Sequence, residues 1–172
     1  FAAGVMLLIF RPFKVGDLVN IDDKVGVVEE IELFTTAINT PDNRRIIIPN
    51  SKVFGNTIEN LTAQDKRRVD VSVGVDYSAD IDQVREILEG VAADIPGGLE
   101  DPGPQVFLEA LGGSSVDWQV RVWAAPSDYW GVYQATIRGV KMALDKAEIG
   151  IPFPQQDVHL DPEVINALAK RD

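Results

Sequence analysis

The first 21 residues, FAAGVMLLIFRPFKVGDLVNI, change character at one point. Residues 2–10 are apolar, and an apolar helix that includes them should end at Arg11, because Pro12 disfavours helix at the residue before it. From residue 14 onward the sequence has the short, polar-punctuated pattern of strands. The stretch is therefore interpreted as the last turns of a membrane helix that enters a domain outside the membrane.

The apolar segment is too short to span a bilayer by itself. Nine helical residues extend about 13 Å, whereas the hydrocarbon core is about 30 Å thick. The segment also lacks the basic start and the cleavage site of a signal peptide. A buried helix of a soluble domain is the alternative interpretation. Since the chain begins with Phe1 rather than Met, we expect it to be a fragment or a processed product.

The composition is that of a folded protein, with 45% hydrophobic and 25% charged residues. Cys is absent, which excludes disulfides and Cys-based zinc sites. The net charge is −11 and is uneven, since residues 61–172 hold 10 basic and 19 acidic residues. A protein that binds nucleic acid needs a basic surface to neutralise phosphates, so nucleic acid is not an expected partner.

Residues 14–61 have the pattern of a small β domain. Turn residues at Asp22-Asp23 and at 41–43 separate short apolar runs, and Pro49-Asn50-Ser51 is interpreted as a break. Gly26 indicates a bulge or a close backbone contact. Five strands are predicted, at residues 17–21, 24–31, 33–40, 44–48 and 55–60. Five strands in fewer than fifty residues indicate a strongly bent sheet or barrel.

Residues 62–150 are predicted to form a second domain with two helices. Alternating valines at 69–75 indicate a half-buried strand, and Asp80 with Gln83 has the spacing of a helix cap. Two further strands, at 105–111 and 115–124, flank Gly112-Gly113 as a hairpin. Ser127 or Asp128 is expected to cap a second helix, whose apolar stripe is Tyr129, Tyr133, Ile137, Val140 and Leu144.

The remaining residues complete the order of elements. Residues 151–160 are predicted to be a final strand, and residues 161–172 a short helix. The second half then has the order strand–helix–strand–strand–helix–strand, a split βαβ arrangement of the ferredoxin-like kind. The predicted fold class is α+β, with a helix stub, a five-stranded β domain and a ferredoxin-like domain.

No residue pattern predicts an enzyme, a metal site or a cofactor. His159 is the only histidine, and no Cys accompanies it. Ser114-Ser115 lies near Asp117, but no histidine is close in sequence and no nucleophile-elbow motif is present. Asp22-Asp23 lacks the loop spacing of a calcium-binding EF-hand. We therefore predict no catalytic residue, no metal and no cofactor.

An ordered set of short strings resembles the small-conductance mechanosensitive channel (MscS) family. Phe10-Arg11-Pro12-Phe13 followed by Val15-Gly16-Asp17 looks like the junction between the pore helix and the cytoplasmic region. Ile48-Pro49-Asn50-Ser51, with Asn56 and Asn60, is similar to the signature of the β domain. Val122-Trp123 and the string Ile151-Pro152-Phe153-Pro154-Gln155 match later landmarks. The resemblance covers about residues 1–160.

The resemblance implies a homoheptameric channel of the inner membrane that opens under tension and releases ions and small osmolytes on hypo-osmotic shock. Residues 1–13 would be the end of the pore helix, 14–61 an Sm-like ring, 62–150 a hollow cytoplasmic cage, and 151–172 a strand at its base with a tail. Membrane lipid would be contacted through helices that this sequence lacks. The alternative is a soluble Sm-like ring that binds RNA or protein, although the acidic second half argues against RNA.

The same resemblance assigns roles to particular residues. The small residues of the pore-helix remnant would let helices approach closely, and the residues that follow would couple that helix to the ring by packing into the β domain. The expected sites are the pore-helix remnant Ala2, Ala3 and Gly4; the coupling residues Phe10, Arg11, Pro12 and Phe13; the β-domain signature Pro49, Asn50, Asn56 and Asn60; and the base strand Pro152, Phe153 and Pro154.

Overall fold

The computed structural model describes residues 2–159 and residue 161. It contains helices and two antiparallel sheets, so the predicted α+β class is confirmed. The elements in chain order are α1 (Ala2–Phe10), β1 (Leu18–Ile21), β2 (Lys24–Ile31), β3 (Thr35–Asn39), β4 (Arg45–Pro49), α2 (Asn50–Gly55), β5 (Ile58–Asn60), β6 (Arg67–Val75), α3 (Ile81–Ala93), β7 (Gln105–Leu111), β8 (Val116–Ala124) and α4 (Tyr129–Lys146).

The first sheet has the strand order β4-β3-β2-β1-β5, and every neighbouring pair is antiparallel. A register shift between Val28 and Glu30 interrupts the β2–β3 ladder, which bends the sheet. Gly26 lies where a Cβ would come within 2.7 Å of the Asn39 carbonyl oxygen. The close backbone contact predicted at Gly26 is therefore present.

The segment after β4 differs from the prediction. Residues 50–55 form helix α2, and β5 begins only at Ile58, so the strand predicted over 55–60 is too long. Pro49 ends β4 in an extended conformation, with φ −58° and ψ 132°, directly before the helix. Val53 is fully buried and anchors this short helix to the first sheet. A helix of six residues is too short to show a periodic pattern, which explains the error.

The second sheet has the order β6-β8-β7, with β8 in the centre. Helices α3 and α4 pack against each other and over this sheet. The inward positions of β8 alternate strictly, and Trp118 at its middle is fully buried. At the start of α3 the Gln83 backbone N–H donates to Asp80 Oδ1 at 2.9 Å, which confirms the predicted cap.

Helix α4 differs from its predicted stripe. Its buried residues are Val132, Thr136, Val140 and Leu144. Ile137, which the prediction placed in the core, is 40% exposed. Asp128 occupies the cap position, but its side chain makes no capping hydrogen bond, because a single 3₁₀ turn precedes the helix. Val140 and Leu144 are buried and Tyr129 and Tyr133 pack against the core, so the predicted stripe is wrong at Ile137 alone.

The final strand predicted over 151–160 is not formed within residues 151–159. The Asp76 N–H donates to the Gly150 carbonyl at 3.0 Å, and the Gln155 N–H donates to Ser114 Oγ at 3.1 Å. The segment therefore crosses the tip of the second sheet instead of lying beside β6, and Pro152 and Pro154 have no N–H to donate to a ladder. Leu160 and the helix predicted over 161–172, apart from Asp161, lie outside the described residues.

Candidate functional site

Helix α1 packs against helix α2 and the bend at Leu33, and its two buried residues, Gly4 and Leu7, lie one turn apart. Leu7 is only 2% exposed and packs in the same apolar cluster as Phe13, Ile48 and Val53. Gly4 is buried, and a Cβ added there would lie 1.8 Å from the Leu33 carbonyl oxygen. No side chain fits at that distance, so the absence of a side chain at residue 4 allows the helix to lie against the bend between β2 and β3.

The remaining faces of α1 are apolar and uncovered. Ile9 and Phe10 are 67% and 68% exposed, and Met6 and Leu8 are also exposed. Contiguous apolar surface of this kind is typical of a site that contacts another protein or a membrane. Among the described residues, the helices are all too short or too polar to cross a membrane.

Asn50 closes the bend against which Gly4 lies. The side chain is 2% exposed, and its Nδ2 donates to the Glu32 carbonyl at 2.8 Å. Its Oδ1 accepts from Thr36 Oγ1 at 2.8 Å, and its backbone N–H donates to the Phe34 carbonyl at 2.8 Å. Because a buried amide is costly unless its hydrogen bonds are made, these three contacts fix the backbone around residues 32–36.

The linker from α1 to β1 is held by a second polar cluster. Arg11 adopts a φ of 45° and donates its N–H to the Leu7 carbonyl at 3.0 Å, which ends the helix. Phe13 then enters the core at 3% exposure. Asp17, which is 8% exposed, accepts from the Lys14 N–H at 3.0 Å through its Oδ2. The helix and the first strand are thus joined by an ordered turn.

Asn60 connects that linker to the exit from the first sheet. Its Nδ2 donates to Asp17 Oδ2 at 2.8 Å and to the Pro12 carbonyl at 3.4 Å. Its Oδ1 accepts from the Thr62 N–H at 3.1 Å. Thr62 Oγ1 in turn accepts from the Leu18 N–H at 3.0 Å. A single amide therefore contacts the chain both before and after the sheet.

The structure brings four of the expected residues to this junction: Gly4, Phe13, Asn50 and Asn60. Phe10 and Pro12 are exposed, so packing into the β domain, expected of Phe10, Pro12 and Phe13 together, is made by Phe13 alone. Arg11 is also exposed, and its Nε donates to the Leu8 carbonyl at 3.2 Å.

The other expected residues lie in different surroundings. Ala2 is exposed and Ala3 is half-buried. Asn56 is exposed and donates only to the Lys52 carbonyl, at 2.9 Å. Pro49 is exposed at the end of β4. In the tail, Pro152 is half-buried while Phe153, at 84% exposure, and Pro154 are exposed.

Three residues of the junction were not among the predicted sites. Leu7 could not be distinguished within a uniformly apolar run. Thr36 lies inside a strand, where a buried hydroxyl has no sequence signal. Asp17 had a weak signal, since it follows Gly16, which adopts a φ of 94°, and an Asp after such a glycine is typical of a turn that uses its side chain.

The chemistry of this site is packing and hydrogen bonding. Within the described residues, no group of His, Asp and Glu is spaced to hold a metal ion. In the second domain Ser115 Oγ donates to Asp117 Oδ1 at 2.6 Å, which is a turn contact and involves no histidine. The arrangement holds α1 and its linker in place.

Comparisons with known families cover nearly the whole chain. The model "Mechanosensitive ion channel, beta-domain" matches residues 1–63, and "Mechanosensitive ion channel MscS, C-terminal" matches residues 69–151. The Small-conductance mechanosensitive channel of Edwardsiella ictaluri is 44% identical over 160 residues, which is 93% of this chain and 56% of that protein. The MscS family protein slr0639 of Synechocystis is 40% identical, over 92% of this chain and 54% of that protein. The chain therefore spans about half the length of these relatives.

Comparison with solved structures identifies the same family. The closed-state crystal structure of Helicobacter pylori MscS matches with a TM-score of 0.88 and 31% identity, covering 93% of this chain and 64% of that chain. Arabidopsis thaliana MSL1 matches with a TM-score of 0.74 at 16% identity, over 88% of this chain and 57% of that chain, and shows the shared fold. None of these comparisons supports the alternative of an Sm-like module that binds RNA.

Proposed function

This chain belongs to the MscS family of mechanosensitive ion channels, and we propose that it is the cytoplasmic region of a tension-gated channel in the inner membrane. In this proposal residues 1–13 end the pore-lining helix, residues 14–61 form a ring, residues 62–150 form a cage, and residues 151–172 complete its base. The whole protein releases ions and small osmolytes on hypo-osmotic shock. The role is conduction and support rather than catalysis.

The docking of α1 against α2 and the bend at Leu33 is the observation that carries this proposal. Gly4 and Leu7 are the two buried residues of the helix, and most of its other apolar side chains are exposed. A contact this narrow can be broken without unfolding the sheet. A gate requires such an element, which has two arrangements separated by a small free energy.

The free edges of the first sheet support a homo-oligomer. Within the described residues β4 and β5 are the two outermost strands and have no further partner. A head-to-tail contact between β4 of one copy and β5 of the next would satisfy both edges and close into a ring. Seven copies are expected from the family resemblance.

We assign the docked position of α1 to the closed channel. The relative with a TM-score of 0.88 is described as closed. Tension that pulls α1 away from the Leu33 carbonyl would then favour the open channel, because force shifts a two-state equilibrium toward the state that it stretches.

The test adds a single methyl group at residue 4, where α1 contacts the bend at Leu33. In the full-length protein, Gly4→Ala places a Cβ 1.8 Å from the Leu33 carbonyl oxygen and must displace the helix. Gly55→Ala is the matched control, because a Cβ there has no neighbour within 4 Å. Patch-clamp recording under graded suction should show a lower opening tension for Gly4→Ala and an unchanged tension for Gly55→Ala.

Two results would contradict the proposal. One is an unchanged opening tension for Gly4→Ala in a variant that assembles normally. The other is a failure of the full-length protein to conduct under any membrane tension or to protect cells against hypo-osmotic shock. Size-exclusion chromatography of each variant separates a gating effect from an assembly defect.

A further inference from the structure

The two outer edges of the second sheet carry opposite charge. Strand β6 and helix α4 together contain five basic and two acidic residues, a formal charge of +3. Strand β7 and helix α3 together contain one basic and four acidic residues, a formal charge of −3. Helix α4 packs on β6 and β8, while α3 packs on β7 and β8, so the two charged pairs lie at opposite ends of the sheet.

Of the two outer strands of this sheet, only β7 is protected against pairing with a strand of another chain. Strand β7 has a register shift between Leu108 and Ala110, and Arg85 Nη1 donates to the Val106 carbonyl at 3.4 Å. Strand β6 is paired with β8 without a shift from Arg67 to Val75, and its other edge has no partner strand within the described residues. A long, regular, unprotected edge is typical of a surface that another chain covers.

A groove lies between β6 and α4. It has a volume of about 300 Å³ and is lined by Val71 and Val73 on the strand and by Tyr133, Ile137 and Lys141 on the helix. Ile137 is 40% exposed, although an isoleucine of a monomeric domain is usually buried. The groove is therefore apolar in its middle and basic at its rim.

The opposite edge of the sheet has a surface of complementary character. Leu108 and Leu111 on β7 lie opposite Trp118 and Val116, and so on the side of the sheet that the helices cover. They are nevertheless 39% and 71% exposed, so the helices leave them uncovered in part. The acidic residues of α3 include the exposed Glu86, so this edge is apolar and acidic.

We infer that the groove between α4 and β6 in one copy of the chain receives the α3–β7 edge of the next copy. The +3 and −3 charges are complementary, and Leu108 and Leu111 supply the apolar side chains for the groove. The contact is head-to-tail, which closes into a ring when it is repeated. The inference rests on the proposed oligomeric channel and adds the surfaces by which neighbouring second domains contact one another.

Cross-linking between introduced cysteines tests the contact directly. These 172 residues contain no Cys, so the full-length protein, with any cysteine elsewhere replaced, would carry only the added thiols. The double variant I137C with L108C should give a ladder of covalent oligomers on mild oxidation. Either single variant should give none, since the two residues lie on different surfaces. The control pair is M142C with L108C, because Met142 is 53% exposed on α4 but does not line the groove.

Charge reversal tests the electrostatic part of the contact. Lys141→Glu in the double-cysteine background should slow cross-linking by about tenfold at low salt, and the effect should shrink at high salt. Adding Glu86→Lys should restore the rate. A ladder from a single variant, or equal rates for the control pair, would overturn the assignment.

The cross-linking results, taken with the size and conduction of the oligomer, also distinguish this inference from the proposed function. A full-size oligomer that conducts under tension but gives no L108C–I137C ladder overturns this interface and leaves the channel proposal intact. A full-length protein that remains monomeric overturns both. A ladder that appears only in the predicted pair, and that responds to both charge reversals, supports the interface.

Discussion

The two sheets of the chain use buried polar side chains in different ways. Five polar or charged residues are buried within the described part of the chain, and four of them belong to the first region: Asp17, Thr36, Thr40 and Asn50. The fifth, Thr136, donates to the Val132 carbonyl of its own helix at 2.7 Å. In the first region Asp17, Thr36 and Asn50 join separate segments, whereas the second region is held by apolar packing around Trp118.

The difference shows that the structure of the first region depends on individual residues. An apolar core tolerates many combinations of side chains of similar volume, while a buried hydrogen-bond network fails when one member is removed. The first region must fix the position of α1 and its linker, and the polar contacts provide that precision. In the proposed oligomer the second region supplies a stable body whose edges contact neighbouring copies, for which a well-packed core suffices.

The largest expected loss of stability is for a substitution in the apolar core of the second region. Trp118→Ala removes a side chain that is fully buried at the centre of β8 and should cost about 3–5 kcal/mol. Its Nε1 makes no hydrogen bond within the described residues, so the loss is one of packing. Hydrogen exchange followed by mass spectrometry should show faster exchange in β6–α4 and little change in β1–β5. Equal acceleration of hydrogen exchange in both regions would show that the two regions do not unfold independently.

The second largest expected loss of stability is for a substitution of Asn50, the buried amide of the first region. Asn50→Ala leaves Thr36 Oγ1 and the Glu32 carbonyl without that partner and should cost about 1–3 kcal/mol in the free energy of unfolding. Thr36→Val removes one of the same contacts without removing volume. In urea denaturation the double variant should be less destabilised than the sum of the single variants. Strict additivity would show that the two side chains do not act together.

The smallest expected effect distinguishes Asn60 from Asn56, two asparagines that the resemblance assigns to a signature of the β domain. Asn60→Ala removes contacts to Asp17, Pro12 and Thr62 and should cost about 1 kcal/mol, with faster exchange at residues 14–18. Asn56→Ala is the matched control, since it removes one local bond to the Lys52 carbonyl at the exposed end of α2. Exchange at residues 14–18 that is as fast in the control as in Asn60→Ala would argue against a special role for Asn60.

Much of the fold follows from local patterns. The end of α1 at Arg11, the strands of the first sheet and the cap at Asp80 all have signals within a few residues. Helix α2 does not, because its stability comes from Val53 entering the core and not from its own sequence. The face of α4 was also chosen incorrectly at Ile137, since its apolar residues extend around more than one side of the helix.

The candidate site could be predicted only in part. Sequence reasoning identified Gly4 as a small residue and related it to helix packing in a membrane. In the structure its neighbour is the Leu33 carbonyl, which lies 29 residues away in sequence. Contacts between a helix and a distant bend depend on how the whole sheet is folded, so no local pattern reveals them. The same applies to Thr36 and Asn50, whose pairing spans the β3–β4 hairpin.

The contacts of Asn60 have a mechanical consequence. The side chain touches the linker that enters the first sheet, at Pro12 and Asp17, and also Thr62, where the chain leaves it. In the proposed channel, a load applied at the end of α1 thus has a short route toward the second domain that passes through the last residue of β5 and bypasses β2, β3 and β4.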